Sequence, residues 1–278
     1  MSFKKINLIA IPTTIVILVF RTLQLLFGVD ATTGFSTSPV YNIVFYSLLG
    51  ALFLFFIFNI YYGRIPTPAK ETKSSKLVCY TVIIFAVCCE FMSVLELLEN
   101  KYKTLTDNTN IQLIRTIKII AAVLGVAVGI CIVFESVKAI SQSSYKPNLL
   151  ISCVLVLYFI VLLFTYYATH DTMVTVSQNL IGLFFWMLVC VFVYAYLRYL
   201  SRSKTVASYK LALIFGYSTV VLGVVTSIPR IFSSFFVKFE FTSFNSIEQL
   251  MILPVTLTVA VITYKLYASS CSEAEITQ

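Results

Sequence analysis

Charge is scarce in this chain: aspartate, glutamate, lysine and arginine together make up 12% of its 278 residues, about half their share in an ordinary soluble domain. Histidine occurs once, at position 170, and tryptophan once. A single histidine leaves no set of imidazole ligands for a metal and no base for a buried serine or cysteine nucleophile, unless that base is His170 itself. No H-E-x-x-H or G-x-S-x-G motif is present, and no paired aspartates fall within an apolar run. Nine glycines, none of them in a glycine-rich loop, leave no phosphate cradle. No cofactor or metal is implied, and an intramembrane enzyme ranks last among the readings.

What the chain has in abundance is apolar surface. Hydrophobic residues make up 59% of it and the mean hydropathy is +0.93, more than a soluble fold of this size can cover. Runs of about 20 apolar residues recur along the whole length, each long enough to cross a hydrocarbon core of roughly 30 Å. They predict an all-α polytopic bundle with spans at about 6–28, 39–62, 76–98, 111–137, 148–168, 174–198, 208–228 and 247–267. No stretch between them has the size of a globular domain, so 1–278 reads as a single transmembrane domain. The first run is too long for a signal-peptide core and is expected to be a retained span.

The 20 lysines and arginines divide unevenly. Thirteen gather in the N-terminus, the connections at 62–76, 138–147 and 198–210, and the start of the C-terminal tail. Four lie on the other side, at Lys101, Lys103, Arg230 and Lys238, while Arg21, Arg115 and Lys118 fall inside spans. By the positive-inside rule the richer side is cytoplasmic, which places both termini in the cytoplasm. The net charge of +8 is therefore mostly topological, and it does not point to nucleic acid, because no single element gathers it. Six of the seven cysteines lie within predicted spans without a C-x-x-C pair, and they read as small apolar residues.

Ionisable residues inside a span cost about 2.5–3.5 kcal/mol at the helix centre, so each needs a partner, a watery cavity or a task. Counting about 1.5 Å per residue places Arg21, Glu90, Arg115 and Lys118 in the outer half of their spans, roughly 10–12 Å deep at most. Gln24 stands one turn above Arg21, and Gln112 one turn above Arg115. Glu96, Glu99, Gln178, Asn179, His170, Asp171, Arg230, Glu248 and Gln249 belong to the same outer level. The candidate ligand-binding set is Arg21, Gln24, Glu90, Arg115 and Lys118, lining a polar cavity open to the outside that takes a small anionic or amphipathic ligand. The alternative is an Arg21–Glu90 ion pair that holds the bundle of a sensor or assembly subunit, with Arg115 and Lys118 snorkelling to lipid headgroups. In that case the partners are membrane lipids and a membrane or cytoplasmic subunit.

Smaller features complete the reading. Gly125 and Gly129 form a G-x-x-x-G that permits close approach of another helix, in this bundle or a second copy. Phe232, Phe235, Phe236, Phe239, Phe241 and Phe244 recur at spacings suited to a short interfacial helix over 231–245. In the first outer loop Asp30 is placed to satisfy free backbone N–H groups, Gly34 to take positive φ, and Pro39 to open span two. The residues Arg21-Thr-Leu-Gln24 followed by Asp30-Ala-Thr-Thr-Gly34-Phe35 resemble the opening of a group of small uncharacterised bacterial polytopic membrane proteins. The resemblance implies a bacterial plasma membrane and no particular activity.

Overall fold

A computed structural model of the chain describes residues 3–63, 76–102, 109–141, 148–169, 177–200, 206–237 and 247–276. The helices are α1 (Phe3–Phe27), α2 (Pro39–Phe56), α3 (Lys76–Tyr102), α4 (Thr109–Ser141), α5 (Leu149–Thr169), α6 (Ser177–Leu200), α7 (Val206–Ser234) and α8 (Ile247–Ile276). Each is long and apolar enough to cross a membrane. The predicted spans and these helices coincide apart from their ends, several of which run further. The longest extension is at α8, which continues past 267 to Ile276, and the one that bears on the polar end is at α7, which continues to Ser234 and so carries Arg230 inside the helix, where the apolar pattern predicts an outer connection.

Of the interfacial helix expected over 231–245, the first four residues are instead the last turn of α7, and Phe235 and Phe236 follow in a turn. Residues 238–246 lie outside the described part. Phe232 and Phe236 are exposed, with ring centroids 5.1 Å apart.

The loop between α1 and α2 follows its sequence closely. Asp30 Oδ1 accepts from the Thr32 amide at 2.7 Å, the Thr32 hydroxyl at 2.6 Å and the Thr33 amide at 3.3 Å. The Gly34 amide donates to the Asp30 carbonyl at 2.8 Å, and Gly34 takes φ 75°, a value that favours glycine. Ser38 caps α2 by accepting from the Val40 amide, with Pro39 in the first turn where its missing N–H costs nothing. At its other end α2 widens into one π-turn, Ile57–Tyr61. Lys210 of α7 donates to the Tyr61 and Gly63 carbonyls there, at 2.7 and 3.1 Å, satisfying acceptors that a helix end leaves open.

The core is organised around α7. It packs on α6, α8, α1 and the π-turn of α2, and 67% of its most apolar stretch is buried, against 22% in α1 and in α5. Close packing on two sides is possible because Gly216 and Gly223 carry no Cβ. A methyl on Gly216 would meet Thr263 of α8 and Phe192 of α6, and one on Gly223 would meet Thr256 and Phe185. Seven residues up α7 thus correspond to seven residues down both neighbours, which fixes an antiparallel register with the heptad spacing of shallow left-handed crossings. Polar ties add to it: the Tyr209 hydroxyl donates to the Leu266 carbonyl of α8 at 2.9 Å, and the Tyr217 hydroxyl to Asn7 Oδ1 of α1 at 2.9 Å.

A second glycine seam joins α3 to α4. Cβ atoms on Gly125 and Gly129 would run into Ser93 and Glu90 of α3 respectively. The G-x-x-x-G is therefore occupied within the chain.

Candidate functional site

The end of the bundle where α1 finishes and α2 and α6 begin holds a buried network of amides around one guanidinium. Arg21 stands six residues before the end of α1 and is 0% exposed. Its Nη1 donates to Gln24 Oε1 at 2.6 Å and its Nη2 to Gln178 Oε1 of α6 at 2.8 Å. Gln24 in turn donates through Nε2 to Asn42 Oδ1 of α2 at 2.7 Å. The Arg21 guanidinium also lies over the Phe45 ring of α2, 5.0 Å from its centroid, a favourable cation–π distance. One planar cation with several donors thus ties three helices together.

Sequence alone accounts for half of this arrangement. Arg21 and Gln24 share a face because they are three residues apart on a helix. Which helices face them is decided by tertiary packing: Gln178 and Asn179 open α6 at that level, and Asn42 sits in the first turns of α2. Asn179 is buried, and its Oδ1 has no hydrogen-bond partner among the described residues.

A second guanidinium is buried at the same end. Arg230 is 7% exposed, stands four residues before the end of α7, and lies within electrostatic reach of the buried Tyr166 of α5. Leu25, one turn beyond Arg21, packs with Val29, Ala31 and Val237, so the ends of α1 and α7 meet. Sequence reasoning puts Arg230 among the outer-level polar residues but not in the candidate set, because a span ending at 228 leaves it outside.

The remaining residues of the predicted set lie elsewhere. Glu90 packs against Gly129 in the α3–α4 seam, whereas α1 packs chiefly on α7 and α2. Arg115 and Lys118 are half-buried on α4, and Gln112 is exposed. The structure therefore brings together Arg21, Gln24, Asn42 and Gln178, and places Glu90, Arg115 and Lys118 on a separate pair of helices. His170 and Asp171, and the side chains of Glu96, Glu99, Glu248 and Gln249, lie outside the described residues. Among the described residues no three His, Cys, Asp or Glu side chains come together as metal ligands.

Chemically, the cluster is a donor-rich, water-poor site. Guanidinium forks pair with carboxylate or phosphate oxygens in two parallel hydrogen bonds, and they do so more strongly where water is excluded. Carboxamides beside them accept from or donate to the rest of a polar ligand.

Fold and composition together define an integral, multi-pass membrane protein, with eight membrane-length helices among the described residues and a buried polar cluster at one end. No family model, curated protein or solved structure matches the chain.

Proposed function

We propose that this membrane protein is transport-related or ligand-binding, and that it meets a small anionic or amphipathic solute at the end marked by Arg21 and Arg230. The observation that carries the reading is the burial of two guanidinium groups, 0% and 7% exposed, at one end of two helices that touch. Holding a cation among apolar helices costs on the order of 2.5–3.5 kcal/mol, and such residues recur where an ion or substrate must be recognised. The excess of lysine and arginine on the opposite side supports an outward-facing cluster in a plasma membrane, bacterial by the resemblance of the first loop.

A second reading has its own support. Arg21 bonds to amides of α1 and α6, and Gln24 passes the contact on to α2, as a structural clasp in a sensor or assembly subunit would. The two readings separate in a thermal-shift screen of the purified protein against small carboxylates and phosphates, run on wild type, Arg21→Ala and Asn179→Ala. The binding reading expects a solute that raises the wild-type melting temperature by several degrees and loses that effect in Arg21→Ala. If no solute acts and Arg21→Ala alone lowers the melting temperature steeply, the cluster is a clasp and the binding proposal fails. Asn179→Ala keeps the Arg21 bonds, so it reads ligand contact where Arg21→Ala proves too unstable to assay.

A further inference from the structure

At 100° per residue, Gly216, Thr219, Gly223, Ser227 and Arg230 of α7 fall within one stripe about 80° wide. The stripe starts at the buried Arg230 and runs down the helix past its midpoint. Threonine hydroxyls of α8 enter it where the glycines leave room, Thr256 against Gly223 and Thr263 against Gly216.

Three hydroxyls in this stripe are chemically out of place. Thr219 Oγ1, Ser227 Oγ and Thr263 Oγ1 have no hydrogen-bond partner among the described residues, on side chains that are 0%, 4% and 4% exposed. Helical serine and threonine usually return their proton to the carbonyl one turn back. Their neighbours do so: Thr226 donates to Leu222, Thr256 to Ile252, Thr258 to Pro254 and Ser233 to Pro229. A buried polar group left unmatched costs about 1–3 kcal/mol, and three on one seam are more than packing alone explains.

The heights of these groups suggest what satisfies them. With a rise of about 1.5 Å per residue, Ser227 lies roughly 4.5 Å below Arg230, Thr256 roughly 6 Å lower at the level of Gly223, Thr219 another 6 Å, and Thr263 about 4.5 Å beyond at the level of Gly216. One water molecule joining two oxygens spans about 5.5 Å, two hydrogen bonds of roughly 2.8 Å each. Every step along the stripe is close to that length.

We infer that the α7 stripe from Arg230 to the Gly216–Thr263 contact binds a file of single water molecules, which extends the polar end of the bundle into the middle of the membrane. The Ser227, Thr219 and Thr263 hydroxyls, which have a proton to give, donate to waters, Thr256 Oγ1 only accepts from them because its proton goes to the Ile252 carbonyl, and the glycines admit the α8 hydroxyls that complete the row. The use of this file as an inward route rests on the binding site proposed at the Arg21 end. Its existence does not, since the hydroxyls need partners whether or not a solute binds above them.

The test uses the whole protein in detergent without any solute. Thr219→Cys replaces one hydroxyl by a thiol, whose S–H stretch is read as an infrared difference against wild type before and after transfer to D2O. The expected result is an added band at the position of a hydrogen-bonded thiol that converts to S–D within minutes. A band at the position of a free thiol that persists for hours overturns the file. Thr219→Val gives an independent sign should the cysteine variant fold poorly. An unmatched hydroxyl in a dry seam would be relieved by valine and the melting temperature would rise, which overturns the proposal, whereas a hydrated one gives a fall or no change. A solute screen without hits beside an exchanging thiol would sink the outer site and leave the file standing, and the reverse combination would do the opposite.

Discussion

The two glycine seams are built from the same residue and reach different ends. In the α7–α8 seam, Gly216 and Gly223 stand seven residues apart and face threonines seven apart, with α6 phenylalanines closing the other side. In the α3–α4 seam, Gly125 and Gly129 stand four apart and face Ser93 and Glu90, with Tyr158 of α5 added near Gly125. Threonine is branched at Cβ, and the Thr256 hydroxyl is already committed to the Ile252 carbonyl, so it has nowhere to retreat. Glutamate has three rotatable bonds and swings aside. A glycine's importance is therefore set by the stiffness of what faces it, and the more familiar four-residue motif marks the softer seam here.

The largest test of that difference is Gly223→Ala. Alanine favours a helix over glycine by about 0.8–1 kcal/mol. Overlap with Thr256, Phe185 and their neighbours is expected to outweigh this and leave a net loss of about 2–3 kcal/mol, with Gly216→Ala close behind. The loss is read as a lower melting temperature in detergent. A neutral Gly223→Ala would mean that the α6–α7–α8 packing gives way easily, and the contrast between seams would collapse.

Gly125→Ala should come next, costing about 1 kcal/mol because Ser93 must turn and Tyr158 stands 3.2 Å away. Gly129→Ala is expected to be neutral or to stabilise by about 0.5 kcal/mol as Glu90 moves and helix propensity is gained. A Gly129→Ala variant as damaged as Gly223→Ala would show that Glu90 is held in place, and would restore it as a fixed element of a site.

The smallest effect lies outside both seams and sets the floor for them. Asp30 has a carboxyl held below its ordinary value of 3.8 by hydrogen bonds from the Thr32 hydroxyl and from the amides of Thr32 and Thr33. A folded value below the unfolded one means that the contribution is complete above about pH 4 and is lost as pH falls through the lowered value. Wild type and Asp30→Ala should therefore differ slightly in melting temperature at neutral pH and converge as the pH is taken down through the lowered value. A difference that persists once the carboxylate is protonated would assign it to packing of the loop and not to the charge.

Much of this architecture is legible in the sequence, for reasons that differ from place to place. The spans are visible because a bilayer imposes a length and a polarity on each segment separately. The first loop is visible because Asp30, Gly34 and Pro39 act on backbone within a few residues of themselves. Arg21 with Gln24 is visible through helical spacing. Beyond that, position along a helix gives depth but not azimuth. Glu90 and Arg21 share a level, yet one turns to α4 and the other to α6, and no property of either residue says so. Arg230 is hard to place because its helix outlasts its apolar run, and a buried arginine hides the very signal by which a span end is recognised. The seven-residue glycine pair escapes a search for small residues four apart.

The shared heptad of α6, α7 and α8 also limits how this molecule can move. Sliding α7 along its neighbours by one turn would bring a residue with a Cβ to both places that Gly216 and Gly223 now leave open, and even a seven-residue shift, about 10 Å, restores glycine at only one of them and puts Tyr209 or Arg230 at the other. The register therefore has one setting and no second one to slide to. These three helices thus form a spine of fixed register, on which α1 packs along α7 and to which Lys210 ties the π-turn of α2 by two carbonyls.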